Sequence, residues 1–159
     1  MEGSLIMDYL KYAMWALLSG SLIPILGIIN GRLGRTLGVT LHAPVIASCV
    51  GLLFCLLVSL VLTRSFPDLG RISEAKPIEL LGGLIMGFYI ISATIISPRI
   101  GVVNFIVFIV VAQIIMSVVI DNFGLFGAAM RPVSMLRLVG VGLLILGLVI
   151  TQFTNSKVN

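Results

Sequence analysis

Charge in this chain is confined to the ends of long apolar runs. Runs without a charged residue cover positions 12–31, 36–63, 80–98, 100–120 and 138–156. Each matches or approaches the roughly 18 to 20 residues that a helix needs to cross a hydrocarbon core of about 30 Å. The pattern predicts five transmembrane helices over about 10–30, 41–63, 77–97, 101–121 and 134–153. Residues 64–76 (RSFPDLGRISEAK) read as the one real loop, broken by Pro67 and Gly70. Ser97-Pro98-Arg99-Ile100-Gly101 reads as a tight reversal, with proline and glycine breaking the helix and arginine at the water boundary. Residues 121–132 form a glycine-rich turn holding Phe123 and Phe126, both suited to an interfacial position. Five spans fill the 159 residues, so the expected fold is a single all-α integral membrane domain.

Composition sharpens this. The chain is 59% hydrophobic and 10% charged, whereas roughly a quarter of the residues in soluble domains are charged. Lipid can accept that much apolar surface; a soluble core could not hide it. The net charge of +4 does not point to nucleic acid, because the Lys and Arg residues sit mostly in the connections between spans, where orientation and anionic headgroups place them. The first run is longer than a cleavable signal core, carries Pro24 and leads into Arg32 and Arg35, so a retained first helix is expected. Cys49 and Cys55 lie six residues apart in the second run and point in different directions, which excludes a bridge or a shared metal. With one histidine, His42, and no catalytic or phosphate-cradling motif, no enzyme activity, cofactor or metal is predicted.

With five spans, Lys11, Arg64, Arg71, Lys76, Arg131 and Arg137 share one side of the membrane, and Arg32, Arg35, Arg99 and Lys157 the other. Six against four is a weak bias that places the N-terminus in the cytoplasm and also permits both orientations. A five-helix unit is then one half of an inverted repeat: two copies, one flipped, give a ten-helix assembly around a midplane site. A same-orientation dimer is the alternative.

Several motifs stand in order along the chain. Residues 22–34 read LIPILGIINGRLG, Gly82-Gly83 and Gly87-Phe88-Tyr89 mark the third helix, and Ala112-Gln113 precedes Ser117 and residues 120–127, IDNFGLFG. Arg131-Pro132-Val133-Ser134 leads to Arg137-Leu138-Val139-Gly140, with Gly147 one heptad later. This ordered set resembles the YdcZ-like branch of the drug/metabolite transporter (DMT) superfamily, five-helix proteins of the bacterial inner membrane. The resemblance covers roughly residues 12–151, with Leu26 where the family pattern has glutamine and Ala112 where it has glycine. It implies a transporter-like fold, half of a DMT-like inverted-repeat assembly, and a dimer, either an antiparallel homodimer or a pair of paralogues. It supplies no substrate.

The residues can be read on their own. At about 100° per residue, Trp15, Ser19, Leu22, Leu26 and Asn30 share one face of helix one, and Gly20, Pro24, Gly27 and Gly31 form a smooth stripe. Pro24 removes a backbone hydrogen bond near mid-membrane, which makes it a candidate hinge. Gln113, Ser117 and Asp121 follow at i, i+4 and i+8 on helix four. An amide inside the bilayer has to face protein or water. Helices one and four run antiparallel, which matches Trp15 and Ser19 in depth to Ser117 and Gln113, with Tyr89 near the centre. These five are the candidate substrate-lining residues; an interfacial tryptophan and an interhelical hydrogen bond from Gln113 are the plainer alternatives. Asn30, Arg99, Asn104 and Asp121 are candidate pore-mouth residues, although Arg99 also suits a snorkelling anchor.

Gly140 and Gly147 share a face of helix five and are the candidate dimer contact, with the Ala43, Ala47 and Gly51 stripe of helix two as the alternative seam. The seven-residue glycine spacing resembles the dimerising last helix of small multidrug transporters. No Asp or Glu lies within the uncharged runs, Asp121 being marginal, so a desolvated cation has no counter-charge there and a neutral or zwitterionic solute is expected. Three functions fit: a secondary transporter or facilitator of a small polar metabolite working by alternating access, a passive channel in a dual-topology dimer, and an accessory membrane subunit.

Overall fold

The computed structural model describes the backbone of residues 2–155 and the side chains of residues 7–151; Lys157 lies outside them. The described residues are 86% helix, with no strand among them. Its long helices are α1 (Glu2–Thr36), α2 (His42–Thr63), α3 (Pro77–Ile100), α4 (Val102–Phe123) and α5 (Met135–Asn155), with 3₁₀ turns at Leu69–Glu74 and Leu125–Gly127. The first four are long and apolar enough to cross a membrane, and the apolar part of α5 is shorter among the described residues.

Hydropathy locates the lipid boundary, and helices run past it. The 35 residues of α1 span about 52 Å, well beyond the core thickness. The helix continues through Arg32 and Arg35 because both are good helix formers with charged heads that reach water. It stops at Gly38, whose φ of +71° suits glycine. The return is close: a Cβ on Gly34 would meet the Thr40 Cα at 3.0 Å. α3 likewise carries Pro98 inside its last turn and ends at Gly101, with φ of +87°. The expected break at residues 97–98 therefore falls at the glycine alone, since a proline in a last turn costs only one helical hydrogen bond. At its start α3 has Pro77 in the first turn, and the Lys76 amide donates to Glu79 Oε2 at 3.0 Å, a capping-box contact.

By contacts the chain divides after Val102 into two compact units. In the first, α1, α2 and α3 pack on one another. α1 and α3 run in the same direction: Gly27 lies against Ser97 and Ala93, and Gly31 against Pro98. The buried positions here are mostly small, among them Gly27, Gly31, Ala43, Ala93, Thr94 and Ser97. Large side chains such as Leu53, Phe54 and Leu62 are exposed. This is the arrangement of helices that associate in lipid, where apolar bulk gains nothing by turning inward and close backbone approach does.

The second unit holds α4 and α5. Its connection folds back through left-handed residues at Gly124, Phe126 and Gly127. It is tied by three contacts: the Arg131 amide donates to the Asp121 carbonyl at 2.7 Å, the Val133 amide to Asn122 Oδ1 at 3.3 Å, and Arg137 Nη2 to Asp121 Oδ2 at 2.6 Å.

Candidate functional site

The first unit has a cavity at the C-terminal ends of α1 and α3. It measures about 370 Å³ and is lined by Gly31, Arg35, Thr40, Leu41, Thr94, Ile95, Pro98 and Arg99. Arg35 comes from the last turn of α1 and Arg99 from the last turn of α3, brought together because Gly31 lets Pro98 approach; a Cβ there would stand 3.3 Å from Pro98 Cγ. An adjoining recess of about 150 Å³ shares Gly31, Arg35 and Pro98 and adds Gly27, Ile28, Ser97 and Val102. Thr94 is fully buried and its hydroxyl donates to the Ile90 carbonyl at 2.8 Å.

Asn30, next to Gly31, is only 4% exposed, and its amide nitrogen has no hydrogen-bond partner. Leaving a buried donor unsatisfied costs about 1–3 kcal/mol. Tyr89, further back along α3, also holds a buried hydroxyl without a partner. Asn30 and Arg99 thus belong to one end of the first unit.

The remaining candidates are distributed differently. Trp15 is 76% exposed and lines an open apolar groove of about 630 Å³ along α1 with Met7, Leu10, Lys11, Met14 and Leu18. The Ser19 hydroxyl donates to the Trp15 carbonyl at 2.9 Å, satisfied by its own helix. Pro24 is half-buried inside α1. Gln113 and Ser117 lie on α4 in the second unit, both exposed, with the Ser117 hydroxyl donating to the Ile114 carbonyl at 2.8 Å. Asn104, also on α4, is half-buried. Asp121 is engaged by Arg137 and helps fasten α4 to the start of α5. Gly140 and Gly147 border a shallow apolar groove of about 440 Å³ on α5, with Leu143, Leu144, Leu148 and Thr151.

Arg35, Thr40 and Thr94 are site residues that the sequence reading passes over. In the sequence Arg35 lies just past the end of the first apolar run and is a charge in the sidedness count, and nothing there points to a cavity. The i, i+4 spacing of Thr94 and Pro98 is a usable signal for a shared face, but Thr40 reaches the cavity only through the turn at Gly38. Cys49 and Cys55 are free and exposed. Among the described residues no group of His, Cys, Asp or Glu is placed to hold a metal ion. The cavity lining presents guanidinium groups from Arg35 and Arg99 and hydroxyl groups from Thr40 and Thr94.

No curated protein and no solved structure matches the chain. The family model described as "Putative inner membrane exporter, YdcZ" matches residues 11–150, so the chain belongs to that family and is a multi-pass protein of the inner membrane.

Proposed function

We propose that the protein is a secondary transporter or facilitator of a small neutral or zwitterionic metabolite, working by alternating access as an antiparallel dimer. Membership of an exporter family supports a transport role in place of an enzymatic one. The observation that carries the finer reading is the α1–α3 cavity with Arg35 and Arg99 in its lining, one residue along α1 from the buried, unpartnered amide of Asn30. In a bilayer, such a group is retained where water or a ligand reaches it, because lipid offers it nothing. Among the described residues no carboxylate on the spanning helices is buried: Asp8 and Glu79 are exposed and Asp121 is half-buried.

In this scheme Trp15, Ser19, Tyr89, Gln113 and Ser117 line the central site in the assembled dimer. Gln113 is exposed in the single chain; facing lipid it would be costly, so a protein surface or a wet cavity is expected over it. Pro24 serves as the hinge of α1. The groove bordered by Gly140 and Gly147 gives a second copy, or a paralogue, a place to seat α5.

The test is countertransport in liposomes. A labelled metabolite found by thermal-shift screening should exchange faster against unlabelled solute on the far side than against buffer. Equal fluxes in both cases are the behaviour of a channel and would refute alternating access.

A further inference from the structure

The ends of α1 and α3 carry a charge pattern that transport of a polar solute does not by itself require. The stretch from Arg32 to Leu41 and the last turn of α3 with Gly101 contain Arg32, Arg35 and Arg99 and no acidic residue. Glu2 and Asp8 lie early in α1, Asp68 and Glu74 in the α2–α3 connection, and Glu79 in the first turn of α3. Asp121 is 19 residues past Val102 along α4, about 28 Å by helical rise, and is held by Arg137. The acidic residues of the first unit are therefore all remote from the cavity along their own elements.

Arg35 and Arg99 line that one cavity, and neither forms an ion pair among the described residues. Two guanidinium charges so placed repel each other. The carbonyl ends of α1 and α3 offset roughly half a charge each, and the N-terminus of α2 returns about half. A positive potential remains, and apolar walls focus it. What this end of the unit lacks is an anionic acceptor.

We propose that Arg35 and Arg99 dock the carboxylate of the transported solute, which narrows the neutral-or-zwitterionic class to zwitterions that bear a carboxylate. This deepens the transporter reading and rests on it. A guanidinium fork can grip a carboxylate through two parallel hydrogen bonds. The cavity, at about 370 Å³, lies within the usual range of about 300–1,000 Å³ for small-ligand sites. The recess between Gly27 and Ser97 takes the remainder of the molecule along the α1–α3 seam. A lipid phosphate is the same oxyanion chemistry from another source, but an acyl-chain anchor does not need a recess leading inward between two helices.

The test uses purified full-length protein in phosphatidylcholine nanodiscs at constant ionic strength, probed with propionate and with propionamide, its uncharged counterpart. Propionate should raise the unfolding temperature saturably, by about 3–6 °C at ten times its apparent Kd, and propionamide should not. Arg35→Gln and Arg99→Gln should each abolish the rise, while Arg71→Gln, in the α2–α3 connection, should leave it intact. If either glutamine variant fails to fold, Arg35→Lys or Arg99→Lys takes its place, and a several-fold weaker propionate response is expected from the lost fork. Three results overturn the proposal: no propionate-specific rise, a rise indifferent to both arginines, or an arginine-dependent stabilisation by phosphatidylglycerol with no response to propionate, which assigns the pair to lipid. Loss of countertransport with the propionate response intact refutes the transporter reading alone.

Discussion

Gly27 and Gly20 lie on the same helix and separate packing from helix propensity. A Cβ on Gly27 would stand 3.2 Å from Ser97 Oγ and 3.4 Å from Ser97 Cβ, whereas one on Gly20 would meet nothing within 4 Å. Replacing either by leucine removes the same glycine penalty, about 0.8–1 kcal/mol, so that gain cancels in the comparison. The remaining difference is the wedge between α1 and α3. Overpacking a well-fitted contact costs about 1–3 kcal/mol, which for a chain of this size is a difference of about 2–12 °C in unfolding temperature. Gly27→Leu should therefore melt below Gly20→Leu by that interval, read by intrinsic fluorescence or scanning calorimetry in a fixed detergent. A finer version uses Gly27→Ala. Its new methyl conflicts first with the Ser97 hydroxyl, and removing that oxygen leaves an ordinary 3.4 Å contact. Ser97→Ala should thus rescue Gly27→Ala with a favourable coupling of about 0.5–1 kcal/mol in a double-mutant cycle. Equal melting of the two leucine variants, or no coupling in the cycle, would refute the close α1–α3 approach.

Three further outcomes are expected. Asp121→Asn breaks the part-buried contact with Arg137 Nη2 and should destabilise the second unit by about 1–2 kcal/mol, with exchanged charges (Asp121→Arg with Arg137→Asp) recovering part of the loss in the same melting assay; an unchanged melt would mean that the pair contributes nothing. Gly147→Leu fills the groove on α5 and should shift the protein from dimer towards monomer in detergent light scattering; an unaltered dimer population moves the seam to Ala43, Ala47 and Gly51. Gln113→Leu removes an amide at similar volume and should abolish countertransport while leaving the dimer intact; retained transport would exclude Gln113 from the substrate path.

The five helices were legible because charge and hydropathy change sharply at each membrane boundary, and family motifs ran in order along nearly the whole chain. Their ends were less so. Arg32 and Arg35 mark where lipid stops, and backbone hydrogen bonding in water continues α1 to Thr36 regardless. Pro98 reads as a breaker, yet only Gly101 has the backbone freedom to turn the chain. Asn30 and Arg99 could be placed at one end from helix direction alone. Arg35, Thr40 and Thr94 could not, because their convergence depends on the register set where Gly27 meets Ser97 and on the turn at Gly38. The Asp121–Arg137 pair was hidden for a similar reason: it spans 16 residues through a connection whose course is set by left-handed residues at Gly124 and Phe126.

A helix core made of glycine, alanine, serine and threonine inverts the usual map of mutational tolerance. In a soluble domain the heaviest side chains are the hardest to replace, and small residues on the outside are the easiest. Here leucine, isoleucine and phenylalanine are largely interchangeable wherever lipid is their only neighbour, while one added methyl at Gly27, Gly31 or Gly34 meets an atom within 3.3 Å. Random mutagenesis under selection for membrane accumulation should show that inversion: broad freedom at bulky positions, and a narrow line of intolerance following the smallest residues along α1.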